Sequence, residues 1–253
     1  MQDTTQALHE DSSSRRKGDA LTPEQWPTSG RRLERQGPSL RDAPRPETLN
    51  FKGNAFTRWF GWTVIRLHGW DIRGAWPKDK KVIAVAGAHT CNYDAWLAIF
   101  VQMALNTRFS FFIKKEAFAW PFGYLWRWMG GVPVDRSNPV GLIEAVKDHF
   151  EKNEKAVFAV TPEGTRHPPK RLKSGVLRLA NELNIPLLPV TWDFDTKTIW
   201  IQPPFEPMED FEEFEQTLYR YWDGIRGGTG YFMGVDSPNG QRLPDPETEK
   251  WRD

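Results

Sequence analysis

Cysteine is nearly absent from this chain: Cys91 is the only one. A single thiol cannot close an internal disulfide, so no oxidised framework holds the protein together, and the composition suits a reducing compartment. Metal-binding spacings are missing too. The five histidines and one cysteine form no CxxC or HExxH pattern, which argues against a structural or catalytic metal. Long apolar runs are also lacking. The longest strongly apolar one, "AWLAIFVQMALNT" at residues 95–107, falls short of the roughly 20 residues that a membrane-spanning helix needs. The opening "MQDTTQALHEDSSSRRKGDA" has no apolar core of the kind a secretory leader carries. Neither sign of charge dominates: 34 Lys and Arg face 33 Asp and Glu, for a formal net charge of +1. No global field therefore recruits nucleic acid, and none is expected as a partner. The expected location is cytoplasmic, or peripheral on the inner face of a membrane.

Tryptophan, by contrast, is abundant. The chain holds 13 in 253 residues, although its mean hydropathy is only −0.62. Tryptophan is favoured where one end of a ring is apolar and the other wet, as at a membrane surface. Residues 1–50 are rich in Ser, Arg, Asp, Glu, Pro and Gly and poor in large aliphatics. Such a stretch buries too little apolar area to offset its ordering entropy, and it reads as a disordered, solubilising tail. The character changes at "FKGNAFTRWFGWTVIRLHGW", residues 51–70. Phe56, Trp59, Phe60, Trp62, Val64, Ile65 and Leu67 cover most of a helical wheel, and the only charges, Lys52, Arg58 and Arg66, are basic. The roughly 15 helical residues expected within it span about 22 Å at 1.5 Å each, too short to cross a ~30 Å hydrocarbon core. Aromatic, basic and broadly apolar, it suits the headgroup boundary; the alternative is an ordinary core-packing helix.

From residue 81 strands and helices alternate. "KVIAVAG", "RFSFFIKK", "VPVDR", "AVFAVTPEG", "IPLLPVTW" and "TIWIQPPF" read as strands. "DAWLAIFVQMAL", "PFGYLWRWMGG", a helix capped by Ser137 and opened by Pro139, and "SGVLRLANEL" read as helices between them. Phe211, Phe214, Leu218, Trp222 and Ile225 fall at the spacing of a last amphipathic helix. The expected fold class is α/β, a single domain over residues 51–226. It has a mostly parallel central sheet flanked by helices, preceded by the tail and the interfacial helix and followed by a poorly ordered stretch over 227–253.

Polar clusters sit where strand ends feed loops, which is where α/β domains build sites. In "HTCNYD", His89 and Asp94 are five apart. On a regular helix they would diverge, so they meet only if His89 lies at the strand end or in the turn and Asp94 on the first helical turn. Asp94 then holds one imidazole nitrogen and leaves the other as a base. A bare HxxxxD arises often by chance and has a bland reading as a capped turn. In "PEGTR", Glu163 can orient a ligand, Gly164 lets the backbone approach it, Thr165 offers a hydroxyl and Arg166 a planar fork for phosphate. Arg171 and Lys173 follow just before a helix start. Taken alone, this stretch reads first as a surface turn with solvated charge. Asp135 and Arg136 close "GGVPVDR" and read alone as a local surface ion pair.

In this order, the segments resemble the glycerolipid acyltransferase family, the group that includes 1-acylglycerol-3-phosphate acyltransferases. His89 and Asp94 match its HxxxxD motif, and Gly130 to Arg136 its glycine-led Asp-Arg motif. Pro162 to Arg166 match its Pro-Glu-Gly-Thr-Arg motif, and Ile185, Pro186 and Pro189 its Ile-Pro strand. The resemblance covers about residues 55–206. Cys91, Thr161 and His167 depart from the family's usual serine, phenylalanine and serine. The resemblance implies acyl transfer from acyl-CoA or acyl carrier protein to the hydroxyl of a lysophospholipid acceptor at a membrane lipid surface, with no cofactor beyond the donor. It makes His89 and Asp94 catalytic and Arg136, Glu163, Gly164, Thr165, Arg166 and Lys173 substrate-binding. Acylation of another lyso-lipid, such as a lyso-ornithine lipid, and an inactive membrane-binding scaffold are the alternatives. The aromatics of "AFAWPFGYLWRWMGG" read either as a wall for an acyl chain or bilayer, or as helix packing.

Overall fold

The computed structural model describes residues 37–45, 53–87, 92–120, 122–135, 139–164, 172–222, 225–226 and 232–233. Its centre is β2 (Lys81–Gly87). Val82, Ile83, Ala84 and Val85 are all buried, because this strand is covered on both faces and its sequence is apolar without alternation. On one side it pairs in parallel with β5 (Ala156–Val160), from Lys81 opposite Ala156 to Val85 opposite Val160. On the other it pairs in parallel with β6 (Leu187–Asp193), ending with Gly87 opposite Thr191. β3 (Phe109–Lys114) and β4 (Gly131–Val134) extend the sheet beyond β5. β7 (Thr198–Ile201) and β1 (Asp71–Gly74) extend it beyond β6. The order is β1-β7-β6-β2-β5-β3-β4, and only the β6–β7 pair is antiparallel.

Alternate side chains point to opposite faces, so the same strands supply two cores. On one face Ile83, Val85, Phe158 and Leu187 meet α4 (Pro139–Lys152), α5 (Gly175–Leu183) and α6 (Phe211–Tyr221). On the other, Val82, Ala84, Val157 and Leu188 meet α1 (Ala55–Leu67) and α2 (Asn92–Leu105). The remaining helix, α3 (Phe122–Trp128), precedes β4. The expected amphipathic face of α4 is present: Val146 and Phe150 are buried and Ile143 packs against them. Pro139 opens that helix as expected; Ser137 lies outside the described residues.

α1 packs one face on the core, as an ordinary core-packing helix does, and leaves the opposite face exposed. Trp62 and Ile65 are buried against the core, while Phe56, Trp59, Phe60 and Leu67 are exposed. Its start is fixed by a capping box. The Asn54 side chain accepts from the Thr57 amide at 3.0 Å, and the Thr57 hydroxyl accepts from the Asn54 amide at 2.8 Å. Asn106, left-handed after α2, donates to the Asn54 carbonyl at 3.1 Å and ties the two helices together.

Three expectations need correction. The tail expected over 1–50 does not include residues 37–45. Leu40 is buried and its amide donates to the Ile72 carbonyl, Gly74 donates to Pro38, and Ser39 bridges Arg73. A single aliphatic among polar residues was enough to seat this strap on the open edge of β1. β1 itself was not anticipated. At the other end, the last helix stops at Tyr221. Ile225 instead lies in β8 (Ile225–Arg226), which pairs with β9 (Phe232–Met233) inside the stretch expected to be poorly ordered. If the strap belongs to the fold, Leu40→Ala should cost about 2–4 kcal/mol in a denaturant unfolding curve. An unchanged midpoint would return residues 37–45 to the tail.

Candidate active site at the C-terminal edge of the sheet

Parallel pairing delivers the ends of β2, β5, β3 and β4 to one edge. Val85 is level with Val160, so Gly87 and Pro162, each two residues further on, leave neighbouring strands about 4.8 Å apart. After Gly87 the chain turns into α2, whose first turn carries Asp94. This carboxylate is 2% exposed, an unusual state for Asp and the one expected of a group held in a turn rather than in solvent. Tyr93 beside it is a packing residue. Its hydroxyl shares a 2.9 Å hydrogen bond with His68 Nδ1 at the end of α1, and its ring lies against Trp70 and Phe194. This fixes the first turn of α2, and with it Asp94. His89 and Cys91 lie outside the described residues.

After Val160 comes a turn in which the Gly164 amide donates to the Thr161 carbonyl at 3.2 Å. Gly164 has φ +64°, a left-handed conformation that glycine adopts without cost. Glu163 is fully buried. The chain returns at Leu172 and is clasped to the same turn. The Lys173 amide donates to the Pro162 carbonyl at 2.7 Å, and a Cβ on Gly164 would sit 3.2 Å from Lys173 Cε. The structure thus brings Glu163, Gly164 and Lys173 together at one turn. Thr165 and Arg166, between the clasped ends, lie outside the described residues, as does Arg136. Asp135, next to Arg136, pairs with Lys115 at 2.6 Å across the ends of β3 and β4. The Lys115 ammonium is pushed up by this hydrogen bond and by the charge of Asp135. Both side chains face solvent, so the pair does more to mark the edge than to stabilise it.

Two supports were missed by sequence reasoning. Glu215 on α6 accepts from the Leu172 amide at 2.7 Å and anchors the return of the clasp. Its position on the apolar stripe, beside Phe214 and Leu218, was the available signal: a buried acid on a core face requires a partner. Trp222 packs against the end of β2, where a Cβ on Gly87 would meet its indole at 2.0 Å. No local pattern announces that contact, because it joins residues far apart in the chain.

The aromatic stretch before β4 is not core. Trp120, Tyr124, Leu125 and Trp128 are exposed, Trp120 by 86%. Exposed apolar surface of this density marks a contact face. A recess of about 230 Å³ runs from Gly53 and Thr57 past Ile99 and Met103 to Trp128, joining this cluster to the start of α1. Among the described residues no helix is long and apolar enough to cross a membrane.

An acyltransferase family model matches residues 70–193. A 1-acyl-sn-glycerol-3-phosphate acyltransferase from Limnanthes alba is 29% identical over 148 residues, 54% of this chain and 50% of the relative. One from Cocos nucifera is 31% identical over 111 residues, 40% and 35% of the two chains. This chain spans half the length, or less, of these relatives. A solved 1-acyl-sn-glycerophosphate acyltransferase, PlsC from Thermotoga maritima, superposes with a TM-score of 0.43 at 22% identity, covering 66% of this chain and 74% of that one.

If Glu215 anchors the clasp, Glu215→Ala should lower stability by about 1–3 kcal/mol, the cost of stranding a buried amide. Chemical denaturation measures it, and a wild-type curve would contradict the anchoring.

Proposed function

Since the chain belongs to the glycerolipid acyltransferase family, we propose that it moves a fatty acyl group from a thioester donor to the hydroxyl of a lysophospholipid, 1-acylglycerol-3-phosphate foremost, in phospholipid biosynthesis. The donor is acyl-CoA or acyl carrier protein, and no further cofactor is required. One observation carries this reading. Asp94 is buried at the start of the helix after β2, and the Glu163–Gly164–Lys173 clasp leaves the adjacent parallel strand at the same edge.

In the proposed mechanism His89 takes the proton of the acceptor hydroxyl as its oxygen attacks the thioester carbonyl. The tetrahedral adduct collapses, the carbon–sulfur bond breaks, and the imidazolium returns the proton to the departing thiolate. Asp94 orients the ring and stabilises its charged form. No acyl-enzyme forms, so Cys91 is a neighbour and not a nucleophile. Gly164, Thr165, Arg166 and Lys173, with Arg136, hold the acceptor's phosphate or polar head, and Glu163 orients these groups. Fixing the acceptor in this way removes much of the entropic cost of meeting the donor. The exposed aromatics of α1 and of the α3 region support a peripheral site on the inner face of a membrane, from which a lyso-lipid reaches the edge without crossing water.

Thr161 and His167 stand where the family has other side chains, close to the acceptor's polar head, and for that reason other lyso-lipids, lyso-ornithine lipid included, belong in the assay. With a panel of lyso-lipids and both donor types, the wild type should acylate 1-acylglycerol-3-phosphate. His89→Ala should lose roughly 10²–10⁴-fold in turnover with its circular dichroism unchanged. A folded His89→Ala protein with near-normal turnover would remove His89 from the mechanism. A wild type inactive on every pair would favour the scaffold.

A further inference from the structure

The outer flank of α1 carries a feature that the proposed reaction does not use. The strap of residues 37–45 lies beside this helix, and the Arg58 guanidinium donates to the Arg41 carbonyl across the gap. Between strap and helix is a recess of about 310 Å³, lined by Arg41, Arg58, Arg66, Trp59 and Trp62, with Asp42 the one carboxylate. The Arg58 pKa is lowered, first by partial burial, then by Arg45 and also by Arg41, while Asp42 acts in the opposite sense. Positive charge is therefore crowded here in a chain whose formal net charge is only +1. An anion in the recess relieves that crowding, and guanidinium forks match phosphate oxygens in pairs.

The surroundings identify the source of the phosphate. At about 100° per residue, Arg58, Trp62, Arg66 and Trp59 follow one another around one flank of α1. Beyond Trp59, on the side turned away from the core, come Phe56, Phe60 and Leu67, all exposed. Phe56 stacks on Phe60 at 6.3 Å, so these rings form a continuous apolar surface. A free phosphate ion has no use for such a rim. A phospholipid presents an apolar boundary and a phosphate at two adjacent depths, in the order that α1 offers them. We propose that the Arg41–Arg58–Arg66 recess binds the phosphate of an acidic glycerophospholipid while the neighbouring aromatic face enters the headgroup boundary. This rests on the membrane-facing part of the function proposed above.

The test is sedimentation of the full chain with vesicles of phosphatidylcholine, alone or with a minor fraction of phosphatidate. Acyl transfer to detergent-dispersed acceptor is measured in parallel. Wild type should bind neutral vesicles weakly and phosphatidate vesicles far more tightly. Arg41→Gln with Arg66→Gln should lose that gain by roughly 25-fold, about fivefold per arginine at an acidic surface. Its neutral-vesicle binding and detergent-dispersed turnover should stay unchanged. Arg108→Gln with Arg127→Gln, two exposed positions beside the other aromatic cluster, should lose little. Equal losses in the two pairs would assign the effect to diffuse charge and overturn the recess. Displacement of wild type by inorganic phosphate matched to the lipid phosphate would make it a free-ion site and overturn the lipid assignment. No binding to any vesicle would overturn the membrane face and the recess together, and the parallel turnover would show whether the enzyme reading survives.

Discussion

Parallel alignment of β2 with β5 is the constraint from which the site follows. Five consecutive residue pairs, Lys81–Ala156 to Val85–Val160, hold the two strands in register. Their shared direction means that the chain leading to Asp94 and the turn carrying Glu163 and Gly164 leave the sheet at the same edge. An antiparallel β5 would send the second turn to the opposite edge, about 17 Å away for five residues at ~3.3 Å each. The register is fixed by burial on both faces. Ile83 and Phe158 belong to one core and Val82, Ala84 and Val157 to the other, so a slip of one residue would exchange the two sets.

The same alignment links chemistry to the surface around it. α2 begins where β2 ends, packs on α1, and carries the recess that leads to Trp128. The helix that positions Asp94 is thus also the floor between the two exposed aromatic clusters. His68 closes this connection from the α1 side by its hydrogen bond with Tyr93. One helix, α2, separates the exposed face of α1 from the sheet edge where Asp94 is buried.

Much of this was legible in the chain because burial leaves a period. Runs such as "KVIAVAG" and "AVFAV" can be buried only as central strands, and the spacing of Val146 and Phe150 has one helical solution. What the residues hid was decided by partners far away in sequence. β1 has a single buried residue, Ile72, in its four, and exists because β7 and the strap pair with it. Leu40 looked like an isolated aliphatic in a polar tail until β1 gave it a surface. Tyr93 sat in a polar cluster and proved to be packing. Glu215 holds the return of the Gly164–Lys173 clasp through a partner 43 residues away, whose identity no local pattern on α6 announces. Asp94, Glu163, Gly164 and Lys173 lie at one edge of the sheet, where the shared direction of β2 and β5 carries them.

The account turns on one cleft serving both the base and the phosphate holders. The most direct measurement is a crystal structure of the full chain soaked with 1-acylglycerol-3-phosphate. The predicted result has the free hydroxyl within hydrogen-bond reach of His89, whose other nitrogen faces Asp94, and the phosphate seated over the Gly164–Lys173 clasp. A lyso-lipid bound with its phosphate at that clasp and its hydroxyl turned away from His89, or His89 and Asp94 facing different sides of α2, would contradict it.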